Sequence, residues 1–255
     1  MNKNSKKFKN LIFSENVSKS KGEMFFVVWS VLVLILLSYI IVTKRFLYFE
    51  ANDYMKTGLF LFIPCVLIPL LCTERHLKWH QKYSTKANCF FFILAWISNY
   101  FWTNYFYSVL GVSYTFPAWR FNDVPFCLYL MSHSYFAFYH TIATLSIRTF
   151  SKFVSKNKVF SFVVIIPLSL VLAFFEAYSL KNFPYYSFEN ERKMYTVGTV
   201  FYSIYFIVTF PVFYRIDEKV GECWALETVI TEALASCMAI FQLLDFWRLF
   251  IGKIY

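Results

Sequence analysis

The chain has 255 residues, 58% of them hydrophobic and 16% charged, with 25 Lys and Arg against 15 Asp and Glu for a net charge of +10. A soluble domain carries about a quarter charged residues, whereas here the charges crowd between apolar runs approaching the ~20 residues that cross a hydrocarbon core. This argues against a soluble enzyme and assigns the basic excess to anionic headgroups and membrane orientation rather than to nucleic acid.

Residues 1–23 are polar and Lys-rich (Lys3, Lys6, Lys7, Lys9, Lys19, Lys21) and read as a flexible basic arm. The apolar run 24–42 follows. It is long for a signal-peptide core and lacks a small-residue cleavage site, so it reads as a retained helix. Six more runs lie at about 57–73, 89–110, 125–147, 159–180, 195–214 and 228–251. Pro64, Pro69, Pro167 and Pro211 fall inside runs, where neighbouring helices can satisfy the freed carbonyls. The expected fold is an all-α polytopic transmembrane bundle of about seven spans, a single domain over 24–255 with no internal repeat.

Orientation follows from the basic residues. With seven spans and a cytosolic N-terminus, the inner segments hold sixteen Lys and Arg and the outer segments eight, with Arg248 inside the last span. That bias favours the N-terminus inside. The six cysteines (Cys65, Cys72, Cys89, Cys127, Cys223, Cys237) form no CxxC pair and read as small packing residues. His76 and His80 stand at i, i+4 in a basic loop, too few ligands for a zinc site.

Ionisable groups inside a membrane are costly and so are functional candidates. They are His133 and His140 in the fourth run, Glu176 in the fifth, and Asp245 with Arg248 in the seventh; Asn99, Thr103 and Asn104 add uncharged polarity to the third. His133 and His140 are seven apart, on one helical stripe, where each could instead bond a neighbouring backbone or hydroxyl group. Asp245 and Arg248, at i, i+3, can pair on one helix face. Glu176 has no basic residue in its run, and apolar surroundings keep such a carboxyl protonated near neutral pH, the state a proton donor needs. At ~1.5 Å per residue, Glu176 lies ~6 Å from the outer end of its span, Asp245 and Asn104 ~9 Å, and His133 ~12 Å. The four share one slab of the outer half; depth leaves their lateral arrangement open.

The chain carries 33 Phe, 19 Tyr and 7 Trp. Most suit helix packing and the lipid-facing belt; a minority could line a pocket whose ring faces attract positive charge. The densest stretch is Asn99-Tyr100-Phe101-Trp102-Thr103-Asn104-Tyr105-Phe106-Tyr107.

From that stretch, through Val109-Leu110-Gly111-Val112-Ser113-Tyr114-Thr115-Phe116-Pro117, the sequence resembles the cycloeucalenol cycloisomerases. The likeness continues at His133, at Phe138-Tyr139-His140, at Glu176 shortly before Asn182-Phe183-Pro184-Tyr185-Tyr186, at Phe201-Tyr202 and Ile204-Tyr205-Phe206, at Asp217-Glu218-Lys219, and at Leu244-Asp245 with Trp247-Arg248. Asn104 stands where the plant-like pattern has histidine, which argues against an essential acid or base there. The resemblance implies a multi-pass protein of the endoplasmic reticulum membrane. It implies opening of the 9β,19-cyclopropane ring of a sterol, cycloeucalenol to obtusifoliol, by proton addition to the cyclopropane methylene and loss of the C8 proton, with a cyclopropyl sterol and the bilayer as partners.

That reaction changes no redox state and requires no cofactor. No Gly-rich phosphate loop, nucleotide motif or metal-ligand spacing is present, so no metal or other cofactor is expected. On chemical grounds the catalytic candidates are Glu176, His133, His140 and Asp245, with Tyr100, Trp102, Asn104 and Tyr202 as candidates to bind substrate. Two other readings remain open: a sterol double-bond isomerase, which uses the same protonate-then-deprotonate logic, and a non-catalytic sterol-binding or transport protein, which would need the pocket but no acid. The sequence leaves oligomeric state and sterol preference open.

Overall fold

The computed structural model describes residues 12–74, 76–153 and 158–255. Helix α1 (Val17–Val42) starts at Asn16, whose side chain accepts from the Ser18 amide. Helix α2 (Ala51–Cys72) opens on a capping box in which the Glu50 amide donates to Asp53 Oδ2; these contacts satisfy amides that a helix start leaves bare. Helix α3 (Tyr83–Ile97) runs through a π turn (Ser98–Trp102) into α4 (Thr103–Leu110). Gly111 ends it at φ +64°, and a Cβ there would lie 2.8 Å from the Tyr255 ring, so the turn and the close approach both require glycine.

Next come β1 (Val112–Tyr114), β2 (Arg120–Phe121), β3 (Val124–Pro125), α5 (Phe126–Phe153) and α6 (Lys158–Ser179). β4 (Tyr186–Phe188) pairs antiparallel with β1, Tyr114 opposite Tyr186. Helix α7 (Glu191–Lys193) and a second π turn (Met194–Gly198) continue into α8 (Thr199–Arg215), and α9 (Leu226–Phe250) follows.

The chain is a helical membrane protein. Its described residues form seven long helical stretches near the seven apolar runs, and four helices, Val17–Val42, Ala51–Cys72, Glu191–Arg215 and Leu226–Phe250, are long and apolar enough to cross a membrane. Val28, Leu32 and Ile35 of α1 are exposed, as suits a lipid-facing surface.

Helix α5 is the hub, packing against α1, α2, α3, α6 and α8, while α8 also packs on α6 and α9. Lipid supplies little hydrophobic drive between helices, so close packing and polar bonds hold them. Gly58 lets α2 approach α5 until an added Cβ would be 3.1 Å from the Cys127 carbonyl. Ser134 Oγ on α5 donates to the Leu61 carbonyl of α2 at 2.7 Å.

Six of the seven helical stretches begin earlier than their apolar runs; α5 does not. Of the arm 1–23, residues 1–11 lie outside the described residues, but α1 already starts at Val17, and Lys19 and Glu23 are buried within it. The physical reason is pairing. Lys19 Nζ lies 2.9 Å from Glu218 Oε2 and donates to the Tyr214 and Ile216 carbonyls, while Glu23 meets Arg148. Lys86 and Asp217 pair beside them.

Candidate active site

Glu176 lies near the C-terminal end of α6, one turn from Ser179. It faces inward, with Ala173 and Ala177 buried on the same side and Phe175 and Tyr178 outward. Such small residues let α6 sit close to α5 and α8. The hydroxyls of Tyr139 on α5 and Tyr202 on α8 face the carboxyl. Oε2 is buried without a hydrogen-bond partner.

Four more tyrosines lie within electrostatic reach of the carboxyl: Tyr135 on α5, Tyr205 on α8, Tyr114 on β1 and Tyr186 on β4. Sequence spacing builds this cluster. Tyr135 and Tyr139 are four apart, and Tyr202 and Tyr205 three apart, so each pair shares a helix face. The Tyr202 and Tyr205 ring centroids are 5.4 Å apart. The β1–β4 ladder adds Tyr114 stacked on Tyr186 at 5.0 Å. A carboxyl in such surroundings can hold a proton and, once ionised, be met by phenolic O–H donors; hydrogen bonds to an ionised acceptor are about twice as strong as neutral ones.

The other candidates occupy different places. His133 is fully buried on the face of α5 turned toward α2 and α3, its ring packed on Phe62 and Phe91. Asn88 donates to the Cys65 and Ser84 carbonyls, which turns its Oδ1 toward His133 Nε2 at 2.8 Å. Nε2 must therefore carry the proton, leaving the Nδ1 lone pair buried and unpartnered. His133 faces Phe62 and Phe91 on α2 and α3, whereas Glu176 on α6 faces Tyr139 and Tyr202, so the two have different surroundings.

His140 uses both nitrogens, Nδ1 2.8 Å from the Phe136 carbonyl and Nε2 2.9 Å from Thr209 Oγ1. A carbonyl only accepts, so Nδ1 carries a proton, while Nε2 faces a hydroxyl that also lies 2.8 Å from the Tyr205 carbonyl. Asp245 takes an Arg248 nitrogen at 2.7 Å and the Tyr105 hydroxyl at 3.2 Å, on the α4–α9 side.

Of the aromatic candidates, Trp102 and Tyr202 join the Glu176 region. Trp102 is fully buried and packs on Tyr205 with centroids 4.9 Å apart. Tyr100 packs on Phe101 and Phe121 at the β2–β3 turn, and Asn104 is exposed. The structure thus groups Glu176, Tyr202 and Trp102 and sets His133, His140, Asp245, Tyr100 and Asn104 elsewhere. Tyr114, Tyr135, Tyr139, Tyr186 and Tyr205 join the same region; helical spacing is a sequence signal for Tyr135 with Tyr139 and for Tyr202 with Tyr205, whereas Tyr114 and Tyr186 come together only through the β1–β4 pairing.

Over 253 residues the chain is 38% identical to the cycloeucalenol cycloisomerase of Arabidopsis thaliana, covering 96% of this chain and 90% of that protein. No protein-family profile matches the chain. No solved structure matches it either.

Proposed function

The chain belongs to the cycloeucalenol cycloisomerase family, a family of isomerases, and from that premise we propose that it opens the 9β,19-cyclopropane ring of a sterol, with cycloeucalenol as substrate and obtusifoliol as product. The observation that supports the chemistry is the Glu176 carboxyl. It is held among tyrosines, with Oε2 buried and unpartnered and no cation recorded in hydrogen-bonding or ion-pair contact with it among the described residues.

In this reading the neutral Glu176 gives its proton to the cyclopropane methylene carbon. The C9–C19 bond breaks and its electron pair forms the new C–H bond, so C19 becomes the angular methyl. Positive charge is left at C9. Loss of the C8 proton returns its electron pair as the C8–C9 double bond, and one proton has entered for one that leaves. Tyr139 and Tyr202 donate to the carboxylate as charge develops, which stabilises the transition state more than the ground state. Ring faces of Trp102 and Tyr202 stabilise the transient cation. Packed aromatics exclude the water that would trap it. The departing proton goes to the Glu176 carboxylate itself, because His133 has different surroundings. His140 and Asp245 act structurally in this reading, each engaged by the partners described above.

The proposed setting is the endoplasmic reticulum membrane, with seven spans and a cytosolic N-terminus. The double-bond isomerase reading shares the acid, whereas a sterol carrier would need none. Incubating the purified chain with cycloeucalenol and analysing the product separates them: obtusifoliol is expected, and recovery of unchanged sterol from a folded, sterol-binding protein would sink the isomerase reading.

A further inference from the structure

The mechanism above leaves two polar atoms of the same region unused. Tyr205 is 2% exposed and Trp102 0%, yet Tyr205 Oη and Trp102 Nε1 both lack any hydrogen-bond partner. Their rings pack at 4.9 Å, and Tyr205 is within electrostatic reach of Glu176. Stranding a buried donor is costly, so two neighbouring orphans, with a third at Glu176 Oε2 in the same region, form an arrangement that packing alone disfavours. The backbone shares the anomaly. Trp102 closes the π turn Ser98–Trp102, and Thr103 Oγ1 donates to the Ser98 carbonyl at 3.2 Å. Single π turns inside helices recur at functional sites.

The chemistry of the pair is selective. An indole N–H only donates, whereas a phenol donates and accepts. Both are uncharged hydrogen-bonding groups, which suits a neutral ligand. One alcohol oxygen satisfies both groups: it accepts from Trp102 and exchanges a hydrogen bond with Tyr205. We infer that Trp102 Nε1 and Tyr205 Oη bind the ring hydroxyl of the sterol and thereby fix its cyclopropane relative to Glu176. The inference rests on the sterol reading above and adds two specificity-determining residues to it.

The test pairs enzyme variants with substrate variants. The wild type is assayed with the 3-hydroxy cyclopropyl sterol, its 3-deoxy analogue and its 3-O-methyl ether, and equilibrium binding of each sterol is measured alongside turnover. The wild type is expected to prefer the alcohol over the deoxy compound by ~10²-fold or more in kcat/KM, because a site built to bond a hydroxyl leaves its own groups unpaired with the analogue. Tyr205→Phe should lower kcat/KM for the alcohol ~10-fold, the scale of one hydrogen bond, with under ~2-fold effect on the deoxy sterol, and Trp102→Phe, whose ring also faces the cation, should lower it ~10-fold more for the alcohol than for the deoxy sterol. Equal losses on both sterols would overturn the inference. If neither variant folds, the wild type decides alone, since equal kcat/KM for alcohol, ether and deoxy sterol would overturn it without any mutation. Preferential binding of the alcohol without conversion of any sterol would leave this inference standing and remove the isomerase reading; conversion of all three alike would do the reverse.

Discussion

The Arg148 guanidinium grips the Glu23 carboxylate with two nitrogens, Nη1 2.9 Å from Oε2 and Nη2 2.6 Å from Oε1. The same guanidinium reaches Glu218 with Nε at 2.8 Å and Nη2 at 2.7 Å. One residue thus ties α1, α5 and the segment after α8 together. Removing it leaves two carboxylates without their fork. Breaking a buried pair on one side typically costs ~3–5 kcal/mol, so Arg148→Met should lower unfolding stability in detergent by that order. Arg148→Lys should recover only part, since an ammonium cannot bond both carboxylates in the fork geometry. A loss under ~1 kcal/mol, the scale of a surface pair, would show that the clamp is dispensable.

The clamp also makes stability depend on pH. Burial pushes the Glu218 carboxyl up, but the hydrogen bonds and charges of Arg148 and Lys19 outweigh it and hold the group below the usual 4.5. A depressed carboxylate contributes fully above the unfolded value and loses its contribution as pH falls through the folded one. Wild type should therefore be more stable than Glu218→Gln near neutrality, and the gap should narrow as pH drops below 4.5. A gap that stays constant across an acid titration would count against Glu218 as the titrating group.

Lys19 and Glu23 also mark where the sequence stopped being legible. Helix positions could be read because apolar runs of membrane length have few other uses. The start of α1 could not, because Lys19 is helical and buried only by virtue of Glu218, and hydropathy along the chain does not register a partner so distant in sequence. The same limit applies at the site. Glu176 was visible as a carboxyl with no cation in its own run. That its surroundings differ from those of His133 was not, since depth follows from helical rise but the face of α5 toward each neighbour depends on packing. Tyr139 and Tyr205 were hidden for another reason: among 19 tyrosines, only the tertiary structure shows which ones share a carboxyl.

Asp245 and Arg248 form an i, i+3 pair, with side chains 32% and 52% exposed. Held by Arg248 and Tyr105, Asp245 is expected to serve the fold rather than the proton transfer. Removing either charge alone strands the other in the bundle. Asp245→Asn should therefore lower stability while folded protein keeps turnover within ~3-fold, well short of the ~10²-fold that marks a general acid. A variant as stable as wild type but inactive would make Asp245 the leading acid.

Topology is a separate prediction. The excess of Lys and Arg on the expected inner segments motivates a cytosolic N-terminus, and seven spans then place the C-terminus on the lumenal side. Glycosylation tags at the two termini report this directly. Modification of the C-terminal tag alone is expected. A modified N-terminal tag would reverse the orientation, and two unmodified tags would make the span count even.

The remaining prediction concerns Glu176 and the tyrosines that face it. Glu176→Gln keeps the volume but carries no proton of comparable acidity, so sterol should bind nearly as to wild type while turnover falls ~10²-fold or more, the usual scale for a general acid. Tyr139→Phe and Tyr202→Phe should each lower kcat ~10-fold with little change in KM, since their bonds strengthen only as the carboxylate forms. The two losses should not add in the double variant, because both hydroxyls serve one carboxyl. In heavy water, enzyme equilibrated before a single turnover should place one deuterium in the new angular methyl. Over many turnovers, incorporation below one per product would indicate that Glu176 recycles the C8 proton faster than it exchanges with solvent. Near-full activity of Glu176→Gln would remove Glu176 from the role and return the search to Asp245, His133 and His140. Loss of activity in Glu176→Gln with unchanged kcat in both tyrosine variants would keep the acid and discard its proposed hydrogen-bond donors.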